Sequence, residues 1–208
     1  MKDYEFTVLS SSEEPYYFET EKSPYVLSCT ECLRMDEFDV YLIEKAAANS
    51  AKTEDLCNRE PDCTITGTYV AGQSIDCFSD AEFLDACDEY SGDVLDAATH
   101  LQDFIGFPEE FFLLESITVN SKLGDSIISR ILQELPQICY HTFFQLPTYI
   151  LYYPESYAEN NRHICDTGMP MEDSVLEANL KKEMKPFLKV GYKKMADTKY
   201  YYLICNYK

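Results

Sequence analysis

The 43 residues from 111 to 153 restrict the fold more than any other part of the chain. Phe111–Val119 (FFLLESITV) is an apolar run of strand composition, and a polar turn, Asn120 to Gly124, follows it. Residues 125–135 then place Ile127, Ile128, Ile131, Leu132 and Leu135 at helical spacing on one face. Residues 148–153 return to an extended, buried pattern. A strand, a helix and a second strand joined this closely close as a right-handed crossover, so the two strands are predicted to be parallel neighbours. A parallel pair with a helix across it belongs to a layered α/β architecture.

The remaining segments can be placed around that unit. Residues 6–9 read as an edge strand and 10–15 as a polar connector, which sets 1–24 apart as an N-terminal strand and flexible connector. Residues 25–208 then form a single α/β domain. Within it, 25–33 reads as a strand, and Asp36 is placed to cap a helix with the stripe Phe38, Tyr41, Leu42 and Ala46. Residues 64–77 read as one or two strands. Ser79-Asp80 and Ser91-Gly92-Asp93 each open a helix. Residues 154–173 carry no clear period and read as a lid or binding loop. A helix over 175–188 is kinked or ended by Pro186, and 192–195 with 200–207 close as a hairpin.

Charge narrows the partners. Lys plus Arg is 17 against 37 Asp plus Glu, a net of −20. Such a field repels nucleic-acid phosphates and anionic lipid, and favours a cationic small molecule or a basic protein. No 18-residue apolar run is present, so no membrane span is expected. The charged start Met1-Lys2-Asp3-Tyr4-Glu5 does not read as a signal peptide. Nine cysteines, an odd number, fit reduced thiols, and the expected setting is cytoplasmic. Cys29-x-x-Cys32 raises zinc, but along a strand that spacing points the two side chains to opposite faces, and Cys57 and Cys63 are too far apart to complete a site. No metal is expected.

Glu115 is the candidate for chemistry. A period of two puts it on one face with Phe111, Leu113, Ile117 and Val119, a single carboxyl aimed into an apolar layer. Desolvation raises the pKa of such a group, which is how a Glu becomes a general base near neutral pH. The turn after Val119 leads into a helix N-terminus, where free amides and the helix dipole favour an anion.

From Leu113-Leu-Glu-Ser-Ile-Thr-Val119 through Ser129-Arg-Ile-Leu132 and Tyr149-Ile-Leu-Tyr-Tyr153, and on to Phe187-Leu-Lys-Val-Gly-Tyr-Lys-Lys-Met195 and Tyr200-Tyr-Tyr-Leu-Ile204, the chain resembles the GNAT superfamily of N-acetyltransferases. The resemblance implies a GNAT-like mixed, mostly antiparallel central sheet with a parallel strand pair and helices on both faces. It implies acetyl-CoA as cofactor and transfer of its acetyl group to a cationic amine. Glu115 takes the position of the general base, and Ile117, Thr118, Val119, Gly124, Asp125, Ser126 and Ile127 the cofactor-binding positions. The family's Arg/Gln-x-x-Gly-x-Gly/Ala loop falls here on Leu123, Ser126 and Ile128, all of which differ from it. Asp125 adds a carboxylate where a phosphate would sit; like charges about 4 Å apart cost on the order of 4 kcal/mol at an effective dielectric near 20. Phe187 stands where many members carry a proton-donating Tyr, leaving Tyr152 or Tyr153 as possible substitutes. These differences support an alternative, a catalytically inactive GNAT-fold binding protein or acidic decoy for a basic partner.

Overall fold

A computed structural model describes residues 4–12, 33–44, 63–70, 80–106, 110–119, 124–143 and 146–205. Its elements run β1 (Tyr4–Ser12), β2 (Leu33–Glu44), β3 (Cys63–Val70), α1 (Asp80–Tyr90), α2 (Gly92–Ile105), β4 (Phe111–Val119), α3 (Asp125–Phe143), β5 (Tyr149–Tyr152), α4 (Glu155–Thr167), α5 (Asp173–Val190), β6 (Lys193–Lys194) and β7 (Tyr201–Ile204). The strands form one sheet in the order β1-β2-β3-β4-β5-β7-β6. Among the described strands only β4 and β5 are parallel; the other neighbours are antiparallel. The expected mixed, mostly antiparallel sheet with one parallel pair is therefore present.

Helices cover both faces, and each face has its own core. On one side Phe112, Leu114 and Ile150 meet Ile131, Leu132 and Leu135 of α3 and Met184 and Phe187 of α5. On the other, Phe111, Leu113 and Leu151 meet Val94, Ala97, Ala98 and Leu101 of α2. Phe111 and Phe112 are adjacent in sequence and both are buried because the pleat sends them to opposite faces of a sheet covered on each. Local signals place α2 sharply. Ser91 Oγ accepts from the Asp93 amide, and Gly106 turns left-handed with φ 88° to close the other end on the Gln102 carbonyl.

Several expectations change. The helix expected after Asp36 is the strand β2, paired with β1 and β3. Its run Phe38-Asp-Val-Tyr-Leu-Ile43 fits either period over so few residues, and the open edge of β3 decides for the strand. β1 continues through Ser10–Ser12, which had read as connector. The 154–173 segment is α4 and the start of α5 rather than a lid loop. The inward residues of α4, Ser156 and Asn160, are polar, so the helix shows no apolar stripe. His163 and Cys165 consequently lie on that helix. α3 runs past Leu135 to Phe143, with Pro136 inside it. Pro186 does not end α5, which continues to Val190 and stops at Gly191 with φ 108°. An interior proline costs a helix about 3 kcal/mol; burying Met184 and Phe187 on either side of it returns about 1.5–3 kcal/mol each. The expected 25–33 strand lies outside the described residues except for Leu33, as do Cys29, Cys32, Cys57 and residues 71–77.

Among the described residues no helix is long and apolar enough to cross a membrane, and no group of three or more His, Cys, Asp or Glu side chains could hold a metal ion. Among the described residues one buried polar side-chain atom lacks a hydrogen-bond partner, the Tyr192 hydroxyl, which is packed edge-on to Phe187. An unpartnered buried hydroxyl is a net cost. Tyr192→Phe is therefore expected to raise the unfolding free energy by about 1 kcal/mol, read from urea denaturation; a loss of stability would mean that the hydroxyl has a partner after all.

Candidate functional site

The site arises where β4 and β5 part. Their parallel pairing runs from Phe111↔Tyr149 to Leu114↔Tyr152 and stops there. β5 ends and the chain turns at Pro154 into α4, whereas β4 continues through Val119 with no strand beside it on that edge among the described residues. A bulge falls at the same point. Leu114 pairs with Gly67 and Ser116 with Thr66, so Glu115 is the extra residue on β4. A bulge re-aims side chains and flips the alternation beyond it. The single face expected for Phe111, Leu113, Glu115, Ile117 and Val119 is accordingly split. Phe111 and Leu113 pack in the α2 core, whereas Ile117 and Val119 pack against the α3/α5 core.

Two cavities flank α4. The first, of about 450 Å³, lies on the α3/α5 side, with an apolar wall from Ile117, Val119, Ile128, Tyr152, Pro186 and Phe187 and a polar rim that includes Asp125, Glu159, Asn179 and Lys182. The second, of about 490 Å³, lies on the α2 side and contains Glu115, Asp93, Asp96, Tyr153, Asn161, Arg162 and Tyr200. Helical spacing puts Ser156 and Glu159 towards the first and Ala158, Asn161 and Arg162 towards the second, with Glu155 bordering both. α4 is the wall between them.

The charges on the two sides are handled differently. In the first cavity Glu183 caps α4 from α5. Its carboxylate accepts from the amides of Glu155 (2.7 Å) and Ser156 (3.0 Å), from the Tyr152 hydroxyl (2.6 Å) and from the Ser156 hydroxyl. Pro154, at the N-cap position, has no side-chain oxygen to do this. Burial, reinforced by Glu183, pushes the Tyr152 phenol well above its usual range, so it stays protonated. Its ring stacks on Phe187 at 4.3 Å. Asp125 does not stand alone: its Oδ2 lies 2.7 Å from Lys185 Nζ, and that bond and charge hold its carboxyl below the usual range. Glu155 is paired with Arg162. In the second cavity Glu115 accepts a hydrogen bond from Thr68 Oγ1 at 2.7 Å. Burial raises its carboxyl pKa, the Thr68 bond opposes the shift, and nearby Asp93 adds to it. Asp96 accepts from the Tyr200 hydroxyl at 2.9 Å, and the Asp93 carboxylate has no partner among the described residues.

Glu183→Ala is expected to lose about 2 kcal/mol of stability, because two α4 amides and two hydroxyls lose their acceptor together. Hydrogen exchange should quicken at Glu155 and Ser156 before the rest of the sheet; unchanged exchange there would mean that α4 does not depend on this cap.

Of the residues singled out from sequence, Glu115 lies in the second cavity, and Ile117, Val119 and Asp125 line the first. Thr118, Gly124, Ser126 and Ile127 do not line either one; Gly124 instead receives the Ile127 amide at 2.9 Å. Leu123 lies outside the described residues. Asp93, Asp96 and Tyr200 had no sequence signal, because separate elements bring them beside Glu115. Glu183 was hidden for the same reason, its partners being 27 to 31 residues away. No protein-family model matches the chain, no curated protein matches it, and no solved structure matches it.

Proposed function

We propose that the chain is a GNAT-like N-acetyltransferase that moves an acetyl group from acetyl-CoA to a cationic amine. One observation carries this reading: two cavities lie on either side of α4, at the point where β4 and β5 separate, with Glu115 in one of them. Glu155 at the start of α4 borders both cavities, so two ligands would meet there.

The first cavity suits the cofactor's uncharged arm. Ile117, Val119, Ile128 and Phe187 give it apolar walls, and among the described residues no strand pairs with the edge of β4 beyond Leu114. When bound, the cofactor supplies an activated thioester. The second cavity suits the amine. Asp93 and Asp96 attract a cation, and the rings of Tyr153 and Tyr200 can flank it. Ionised Glu115 takes a proton from the ammonium and frees its lone pair. Tyr152 is the hydroxyl nearest to the role that Phe187 cannot fill, holding a proton on the first cavity's wall. Among the described residues Cys165 and Cys205 carry free thiols, and a cytoplasmic setting goes with this reading.

A second reading, a non-catalytic binder of basic partners, is favoured by Phe187 and by the carboxylates of Asp125 and Glu183 standing at two helix N-termini. A melting curve separates the two. Acetyl-CoA at 100 times its Kd is expected to add about 2.7 kcal/mol of stability. No shift with acetyl-CoA, together with a shift from a lysine-rich peptide, would leave only the binder.

A further inference from the structure

Basic residues are scarce in this chain and unevenly placed: seven of the 17 fall within residues 181–199, against two acidic residues there, Glu183 and Asp197. All seven lysines are exposed. Glu183 is taken up in capping α4, and Lys185 is matched by Asp125. Lys181, Lys189 and Lys194 form no salt bridge among the described residues. The dipole at a helix end accounts for Lys189, but not for Lys194, which lies beyond α5. Lys194 pairs with Tyr201, which packs on the α3/α5 core, so it stands on the α5 side of the sheet. Lys181, Lys185 and Leu188 follow one another along one stripe of α5, and Leu188 is exposed. The opposite side of the sheet has the inverse character. Residues 80–106, which hold α1 and α2, contain eight acidic residues and no Lys or Arg. Asp85, Asp88 and Asp103 are exposed and form no salt bridge among the described residues, and Phe104 beside Asp103 is exposed too.

We propose that the α5–β6 surface of one copy docks on the α1–α2 surface of a second copy, ammonium groups against carboxylates around Leu188 and Phe104. The sheet lies between the two surfaces, so they cannot meet within one molecule. They meet head to tail between molecules. Each surface has the make-up of a docking patch, an exposed apolar side chain among charges, and the signs of the charges match. A foreign acidic partner would answer only the lysines, whereas a second copy answers both patches at once. The net charge of −20 repels copies at a distance. At about 0.15 M salt that repulsion fades beyond about 8 Å, and the charges at the contact decide. A head-to-tail contact leaves one patch of each kind free, so it extends to a ring or an open chain. Neither patch shares Lys181, Leu188, Lys189 or Asp103 with the two cavities, so the inference stands apart from the acetyltransferase reading.

Sedimentation velocity of the full chain tests this. Wild type is expected to form assemblies that grow with protein concentration at about 0.15 M salt and come apart at about 1 M. Lys181→Glu, Lys189→Glu and Lys194→Glu together should weaken association about tenfold or more, and so should Asp85→Lys, Asp88→Lys and Asp103→Lys together. Mixing the two triple variants should restore assembly, because each then carries the charge that the other has lost. All six positions are exposed, and a melting curve of each variant confirms that it is folded. A wild type that stays monomeric at every concentration would overturn the inference. So would assembly that persists in concentrated salt, that neither triple variant weakens, or that the mixture fails to restore. A monomeric wild type that binds polyglutamate would assign the lysines to a foreign acidic partner and likewise remove the second copy.

Discussion

Gly67→Ala is expected to lower the unfolding free energy by about 3 kcal/mol, the upper end of what overpacking usually costs. A Cβ at Gly67 would lie 2.3 Å from Phe112 Cζ and 2.5 Å from the Leu113 carbonyl oxygen. Phe112 is fully buried in the core, so its ring has nowhere to move, and the carbonyl is main chain. The residue is glycine because the Phe112 ring and the Leu113 carbonyl already fill the space a Cβ would need. Gly92→Ala is the control. Nothing lies within 4 Å of that position, which opens α2, and the substitution should be neutral or slightly stabilising. Urea midpoints with unchanged slopes would show the contrast. Equal midpoints for the two variants would mean that the close approach of β3 and β4 is absent.

Glu115→Gln has the largest expected effect on activity, a loss of turnover of about a hundredfold or more, since the amide cannot accept the amine's proton. Acetyl-CoA affinity should be nearly unchanged, because Glu115 lies in the other cavity. The pH dependence follows from the raised carboxyl pKa, caused first by burial. Between the ordinary Glu value and the raised one, the folded chain binds more protons than the unfolded chain. Stability contributed by protonated Glu115 is thus full below the ordinary value and is lost as pH rises through the raised one. The Gln variant should lack that loss and be the more stable protein near pH 7. Wild-type turnover should move the opposite way, rising with pH through the same window as the base ionises. A Gln variant with undiminished turnover would take Glu115 out of the chemistry.

How much of this was legible in the sequence depended on how far apart the cooperating residues are. β4 was readable to the residue, because nine consecutive positions carry its signal, and the parallel β4/β5 pair followed from chain connectivity alone. The facing of Glu115 was half readable. Alternation put it opposite Phe112 and Leu114 correctly, but the bulge that turns Ile117 and Val119 to the other side depends on Gly67 in another strand. α4 was missed for a physical reason: what it buries is Ser156 and Asn160, held by Glu183 and by the Met171 amide, and a polar buried face leaves no hydrophobic period to find. Asp125 illustrates the converse. Its position at a helix start was evident, but its charge was balanced by Lys185, 60 residues later, which no local pattern reveals.

The placement of β7 has a consequence for how the molecule is made. It lies between β5 and β6, both of which a ribosome releases before it. Ile150 and Leu151 of β5 are completely buried, yet that strand's outer edge has no neighbour until residues 201–204 have left the exit tunnel. The half of the sheet carrying β1 to β4 can assemble during synthesis, whereas the other half must wait, with a sticky apolar edge exposed in the interval. The hazard in this protein's biogenesis is concentrated in the interval between the emergence of β5 and that of β7.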